Sequence, residues 1–146
     1  MIFWQLTIDS RDPKALAAFW ASALGYQPAP PVSPEATWWQ HYRSRQADGK
    51  PFEDRIFDPD GLRPPLWFQA VPEEKAGKNR LHLDIYPTGR DQGLRPDKRV
   101  ELVEAKVAEL TALGATVARR ESGDDPGDEF YFAVLRDPEG NEFCVG

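Results

Sequence analysis

Cysteine is almost absent. Cys144 is the one thiol in 146 residues, which excludes an internal disulfide and any CxxC zinc or redox motif. Histidine is nearly as scarce, with His41 and His82 alone. Long hydrophobic runs are missing too: residues 15–26, the longest weakly polar stretch, are too short to cross a bilayer and include Ser22. The first residues lack the basic start and apolar stretch of a secretory signal, so the expected setting is cytoplasmic, with no membrane partner. Positive charge is in deficit, with 18 basic against 24 acidic residues and a net charge of −6. That balance opposes a phosphate backbone and predicts no nucleic-acid partner. A chain of this length is expected to form one domain, residues 1–146, burying about 70% of the surface its unfolded form exposes. It needs no metal as a staple, so a metal would be functional.

What is present is patterned. Ile2, Trp4, Leu6 and Ile8 alternate with Phe3, Gln5 and Thr7, which predicts a half-buried strand over 2–8 whose first set meets a helix. Asp12-Pro13 is a cap and first-turn pair. Leu16, Phe19, Trp20, Ala23 and Leu24 follow at helical spacing and Gly25 suits a left-handed stop, predicting a helix over 13–24. Pro28, Pro30, Pro31 and Pro34 mark a loop, and 37–44, with Trp38, Trp39 and His41, reads as a strand. Leu81, Leu83 and Ile85 then alternate with His82, Asp84 and Tyr86. After a polar insertion over 87–99, whose basic run from 95 to 99 reads as a solvated helix entrance, Val100, Val103, Val107, Leu110 and Leu113 take helical spacing up to Gly114.

The second half repeats the first in words as well as in period. Ala23-Leu24-Gly25 returns as Ala112-Leu113-Gly114, and Asp58-Pro59-Asp60-Gly61 returns as Asp137-Pro138-Glu139-Gly140. Two copies at this spacing are a duplicated half-domain rather than a solenoid. The expected fold is α+β: two tandem βαβββ modules, about 1–72 and 78–146, forming a cupped mixed sheet with helices on its outer face. The repeat also maps a site. Gln5 and His82 occupy matching strand positions facing away from the helices, and removal of Leu62-Arg63-Pro64-Pro65 aligns Gln69 with Cys144. Alternation places Glu142 beside Cys144 and Asp84 beside His82 on the same faces. The Asp-Pro turns are read as serving turn geometry.

Residues 5–8, 12–25, 66–69 and 78–85, and above all the closing Asp137-Pro138-Glu139-Gly140-Asn141-Glu142-Phe143-Cys144-Val145, resemble the glyoxalase-like members of the vicinal-oxygen-chelate superfamily. The resemblance implies the paired modules, and many such relatives form homodimers. It does not choose a reaction, since metal-dependent glyoxalases, ring-cleaving dioxygenases, epimerases and resistance proteins share the fold. In the metal-dependent relatives four ligands fall at positions that map to Gln5, Gln69, His82 and Cys144. Of these only His82 is a strong donor match, and Gln69 and Cys144 stand where carboxylates belong, so no divalent metal or other cofactor is expected.

The reading is therefore a metal-free protein that binds a small hydrophobic or aromatic molecule. Phe3, Gln5, Trp67, Gln69, His82 and Cys144 are its ligand-binding residues, and Trp38 or Trp39 and Tyr131 are further wall. The alternatives are a metal-dependent lyase, isomerase or dioxygenase, and a structural or interaction module whose cup is filled by its own side chains. If chemistry occurs, Glu142 is the expected base, its carboxyl desolvated and its pKa raised, with Asp84 next.

Overall fold

A computed structural model describes residues 3–32, 37–91, 93–123 and 130–146. Its contacts cluster into two compact units, Met1–Glu74 and Lys75–Gly146.

In the first unit β1 (Leu6–Ser10) leads into α1 (Pro13–Leu24), then α2 (Thr37–Ser44), β2 (Arg55–Ile56) and β3 (Leu66–Ala70). Asp12 Oδ1 accepts from the Ala15 amide at 3.1 Å, Pro13 fills the first turn, and Gly25 ends α1 at φ 68°. The helix buries Leu16, Phe19, Trp20 and Ala23, while Leu66 and Phe68 turn inward from β3. β3 is the central strand of three, parallel to β1 and antiparallel to β2.

Two expectations are corrected in this unit. Residues 37–44 form a helix, not a strand. The buried side chains are Trp39 and Tyr42, three apart, which share a helical face but would lie on opposite faces of a strand. They pack on Phe57 in an aromatic core that Phe3, Trp38 and Phe52 flank, and His41 lies exposed on the helix instead of on a strand edge. The strand expected over 2–8 begins only at Leu6, and Trp4 is 60% exposed instead of meeting the helix. Ile2 lies outside the described residues.

The second unit runs β4 (Asp84–Ile85), α3 (Pro96–Ala112), β5 (Thr116–Ser122), β6 (Tyr131–Arg136) and β7 (Glu142–Val145). This is the expected βαβββ order, with the sheet arranged β4-β7-β6-β5 and only β4 and β7 parallel. α3 buries Val103, Val107 and Leu110 against the sheet, and Val100 and Leu113 at its ends stay partly exposed. Leu81 is also exposed, because β4 starts three residues after it.

The two repeated turns fold by the same device. Buried Asp58 accepts from the Leu62 and Arg63 amides and from the Arg63 guanidinium, and buried Asp137 accepts from the Glu139 and Asn141 amides. Among the described residues no helix is long and apolar enough to cross a membrane.

Candidate functional site

β7 divides its side chains cleanly: Phe143 and Val145 are fully buried, while Glu142 and Cys144 lie on the other face. Asp84 pairs with Cys144 across the parallel ladder and Val134 pairs with it across the antiparallel one. Paired residues share a face, so Asp84, Cys144, Val134 and, two residues before Val134, Phe132 line up on one side of the sheet. That side opens into a cavity of about 370 Å³. Phe130, Phe132 and Tyr86 form its aromatic wall, with the Phe130 and Phe132 rings edge to face at 5.0 Å. His82, Asp84 and Cys144 form its polar floor. Thr88, Arg90 and Arg99 close it from the loop after β4 and the first turn of α3.

The floor is a linked group. His82 Nε2 lies 3.3 Å from Asp84 Oδ1, the Tyr86 hydroxyl donates to Asp84 Oδ2 at 3.4 Å, and the Cys144 thiol faces the same carboxylate. Burial, and after it the neighbouring Asp84 charge, push the thiol above its ordinary range, so it keeps its proton and is a poor nucleophile. Donor atoms of His82, Asp84 and Cys144 all lie within 4.8 Å of one another. Nitrogen, oxygen and sulfur at that spacing fit a borderline cation such as zinc better than a hard ion, although the thiol would first have to release its proton.

Glu142 departs from the expected general base. Its carboxylate accepts from Lys78 Nζ at 2.5 Å and lies 3.8 Å from Arg136. The Lys78 hydrogen bond outweighs desolvation and holds its pKa below the usual carboxylate range, not above it. The raised pKa expected of a base is corrected here. Tyr131, expected as wall, is among the residues that line the cavity, while its hydroxyl donates to Glu104 at 2.5 Å beside the Arg120 guanidinium. Phe132, one residue on, lines the cavity beside it.

The remaining expected ligand residues belong to the first unit. Gln5 Oε1 accepts from the Tyr42 hydroxyl at 2.6 Å. Phe3 stacks on Trp38 at 5.0 Å and Trp39 is buried core, so these rings serve packing. Trp67 Nε1 donates to Asp54, and the Arg55 guanidinium lies 4.8 Å over its ring. Gln69 is half-buried opposite Asp9 in the ladder.

The ladders also revise the internal map. Cys144 pairs with Asp84, two residues beyond His82, whereas Gln69 pairs with Asp9, four beyond Gln5. With Gln5 matched to His82, the ladder equivalent of Cys144 is therefore Trp67, which pairs with Thr7. Excising all of Leu62-Arg63-Pro64-Pro65 overshoots by two residues.

Tyr86, Thr88, Arg90, Arg99, Phe130 and Phe132 were not named from sequence as site residues. Alternation along β6 could have found Phe132. The two arginines gave no periodic signal, because a turn and a helix start bring them in.

Residues 5–146 match the family model described as a glyoxalase-like domain. None of the curated proteins matches this sequence. Among solved structures, a glyoxalase/bleomycin resistance protein/dioxygenase family enzyme from Burkholderia phytofirmans PsJN is similar at TM-score 0.58 and 20% identity, covering 97% of this chain and 94% of that one. The fosfomycin resistance protein FosX of Listeria monocytogenes, crystallised with Mn(II), is similar at TM-score 0.55 and 11% identity over 99% of this chain and 90% of that one. A lactoylglutathione lyase from Agrobacterium tumefaciens is similar at TM-score 0.51 and 16% identity, covering 100% and 92%. At these identities the likeness is one of fold.

Proposed function

This chain belongs to the glyoxalase-like domain family, and from that premise we propose that it is a small-molecule binding protein whose ligand, an aromatic or apolar molecule, sits in the second-unit cavity without a metal. The observation that carries the reading is the cavity itself. Its volume of about 370 Å³ falls within the range of roughly 300–1,000 Å³ usual for ligand pockets, and apolar rings with a few convergent polar groups are the usual lining of such sites. The Phe130 and Phe132 rings supply faces and edges for a planar guest. Of the two carboxylates considered as bases, Asp84 is the one on the cavity wall, and it is the group we assign to proton transfer if binding leads to reaction.

The test is a thermal-shift screen of the full chain against aromatic compounds. A true ligand at 100 times its dissociation constant adds about 2.7 kcal/mol of stability, and Phe132→Ala should abolish that gain. A panel without a single stabilising compound would overturn the reading.

A second reading rests on the donor cluster of His82, Asp84 and Cys144. These three would hold a borderline divalent cation, which supplies Lewis acidity or an activated water when bound. Protein purified without added metal is expected to carry well under one equivalent of transition metal. Stoichiometric zinc, lost on His82→Ala, would favour this second reading over the first.

A further inference from the structure

The first unit holds a shielded cation whose neighbours are rings and not acceptors. Arg55 pairs with Trp67 across the antiparallel ladder, so both side chains stand on the sheet face opposite buried Ile56, Leu66 and Phe68. The Arg55 guanidinium lies 4.8 Å from the centre of the Trp67 ring and 5.7 Å from that of Phe52, and only 21% of the side chain is exposed. The rings attract its charge but offer no lone pair. Its Nε is sealed from solvent with no acceptor among the described residues. Asp54 stands 4.0 Å from that nitrogen through Oδ1, an ion pair beyond hydrogen-bond reach, and its Oδ2 accepts from Trp67 Nε1. A guanidinium withdrawn from water while its donors lack acceptors is costly to bury. Beside it lies a second donor. Buried Tyr42, close enough to feel the Arg55 charge, donates its hydroxyl to Gln5 Oε1 at 2.6 Å. That bond fixes the half-buried Gln5 amide and leaves its NH2 group with no acceptor among the described residues.

We propose that this face of the first unit binds a small carboxylate, which accepts from the Arg55 guanidinium and the Gln5 amide nitrogen, with the Trp67 ring as its apolar border. The planar guanidinium fork matches two carboxylate oxygens, and its placement between two rings holds the fork ready for them. Asp54 narrows the choice of anion. With its charge 4.0 Å from that of Arg55, the site is close to neutral before a ligand arrives, so a single negative charge is accommodated and the higher charge of phosphate is opposed. The site shares no lining residue with the second-unit cavity.

Heteronuclear NMR of the uniformly labelled full chain reads the site through the Arg55 Nε–H and the Trp67 indole N–H, the latter identified as the signal lost in Trp67→Phe. The probes are acetate, neutral acetamide and inorganic phosphate. Acetate should shift both signals saturably and bind at least about tenfold more tightly than phosphate, and acetamide should leave them in place. Arg55→Gln should abolish the Trp67 shift. Gln5→Glu keeps an acceptor for Tyr42 but replaces the amide donor with a charged oxygen, so it should weaken acetate at least about tenfold, which keeps the test decisive if the Arg55 variant fails to fold. Signals that acetate leaves unmoved, an equal response to acetamide, or shifts that survive both substitutions overturn the site. Phosphate binding as tight as acetate overturns the assignment of a carboxylate. Acetate shifts confined to residues of the second-unit cavity also overturn the site, while leaving the aromatic reading of that cavity standing.

Discussion

Arg90 holds φ 57°, a left-handed conformation that costs a residue with a side chain about 1–2 kcal/mol. Gly89, immediately before it, is also left-handed at φ 61°. The turn therefore places an arginine where a second glycine would be unstrained, and backbone outliers of this kind persist where a side chain is needed. Arg90→Ala and Arg90→Gly both remove the guanidinium from Tyr86, but only glycine relieves the backbone. After glycine's own entropic cost of roughly 0.5–1 kcal/mol, the Gly variant should be more stable than the Ala variant by about 0.5–1 kcal/mol. Chemical denaturation of the pair measures the difference. Equal midpoints would show that the turn is unstrained and that Arg90 is there for no local cost.

The elements that could be read from the sequence carried their signals locally. The first helix announces itself at both ends, by Asp12-Pro13 and by Gly25, and the repeated Asp-Pro turns each bury a carboxylate on backbone amides within five residues. α2 was illegible as a helix because two adjacent tryptophans fit neither period, and what selects the helix is the burial of Trp39 and Tyr42 on Phe57, a contact distant in sequence. On β6 the reading was one residue short: Tyr131 does line the cavity, and Phe132 beside it, which strand alternation places on the Cys144 face, was missed. Polar residues of the candidate site were half legible for the same reason. His82, Asp84 and Cys144 follow from strand alternation, whereas Arg90 and Arg99 stand in a stretch with no period, which read as solvated surface.

At the scale of the whole molecule, three carboxylates tie stability to pH. Burial would raise the pKa of Asp58, but Arg63 and the two amides it accepts from outweigh that and lower it. Arg120 and Tyr131 lower Glu104, and Lys78 lowers Glu142. A folded-state pKa below the unfolded one adds stability that is present above the unfolded value and lost as pH falls through the folded one. Melting temperature should therefore drop once pH falls below about 4, and Asp58→Asn should make that acid limb shallower. A melting temperature that stays level down to about pH 2 would contradict this. The parallel pairing of β4 with β7 has a kinetic consequence. Asp84 and Cys144 are neighbours in the ladder yet about 60 residues apart in the chain, and only two residue pairs make up that contact. The β6–β7 hairpin can form early because its ends are close in sequence, but β4 must wait for a long loop to close with little ladder to reward it. The amides of Cys144 and Gly146, which donate to Leu83 and Ile85, should consequently exchange with solvent deuterium sooner than those of β6, and a bound ligand should slow them. Equal protection across the sheet would refute this order. On this order the cavity floor is the last part of the second unit to assemble and the first to open, so a ligand there acts as a clasp on the fold as well as its guest.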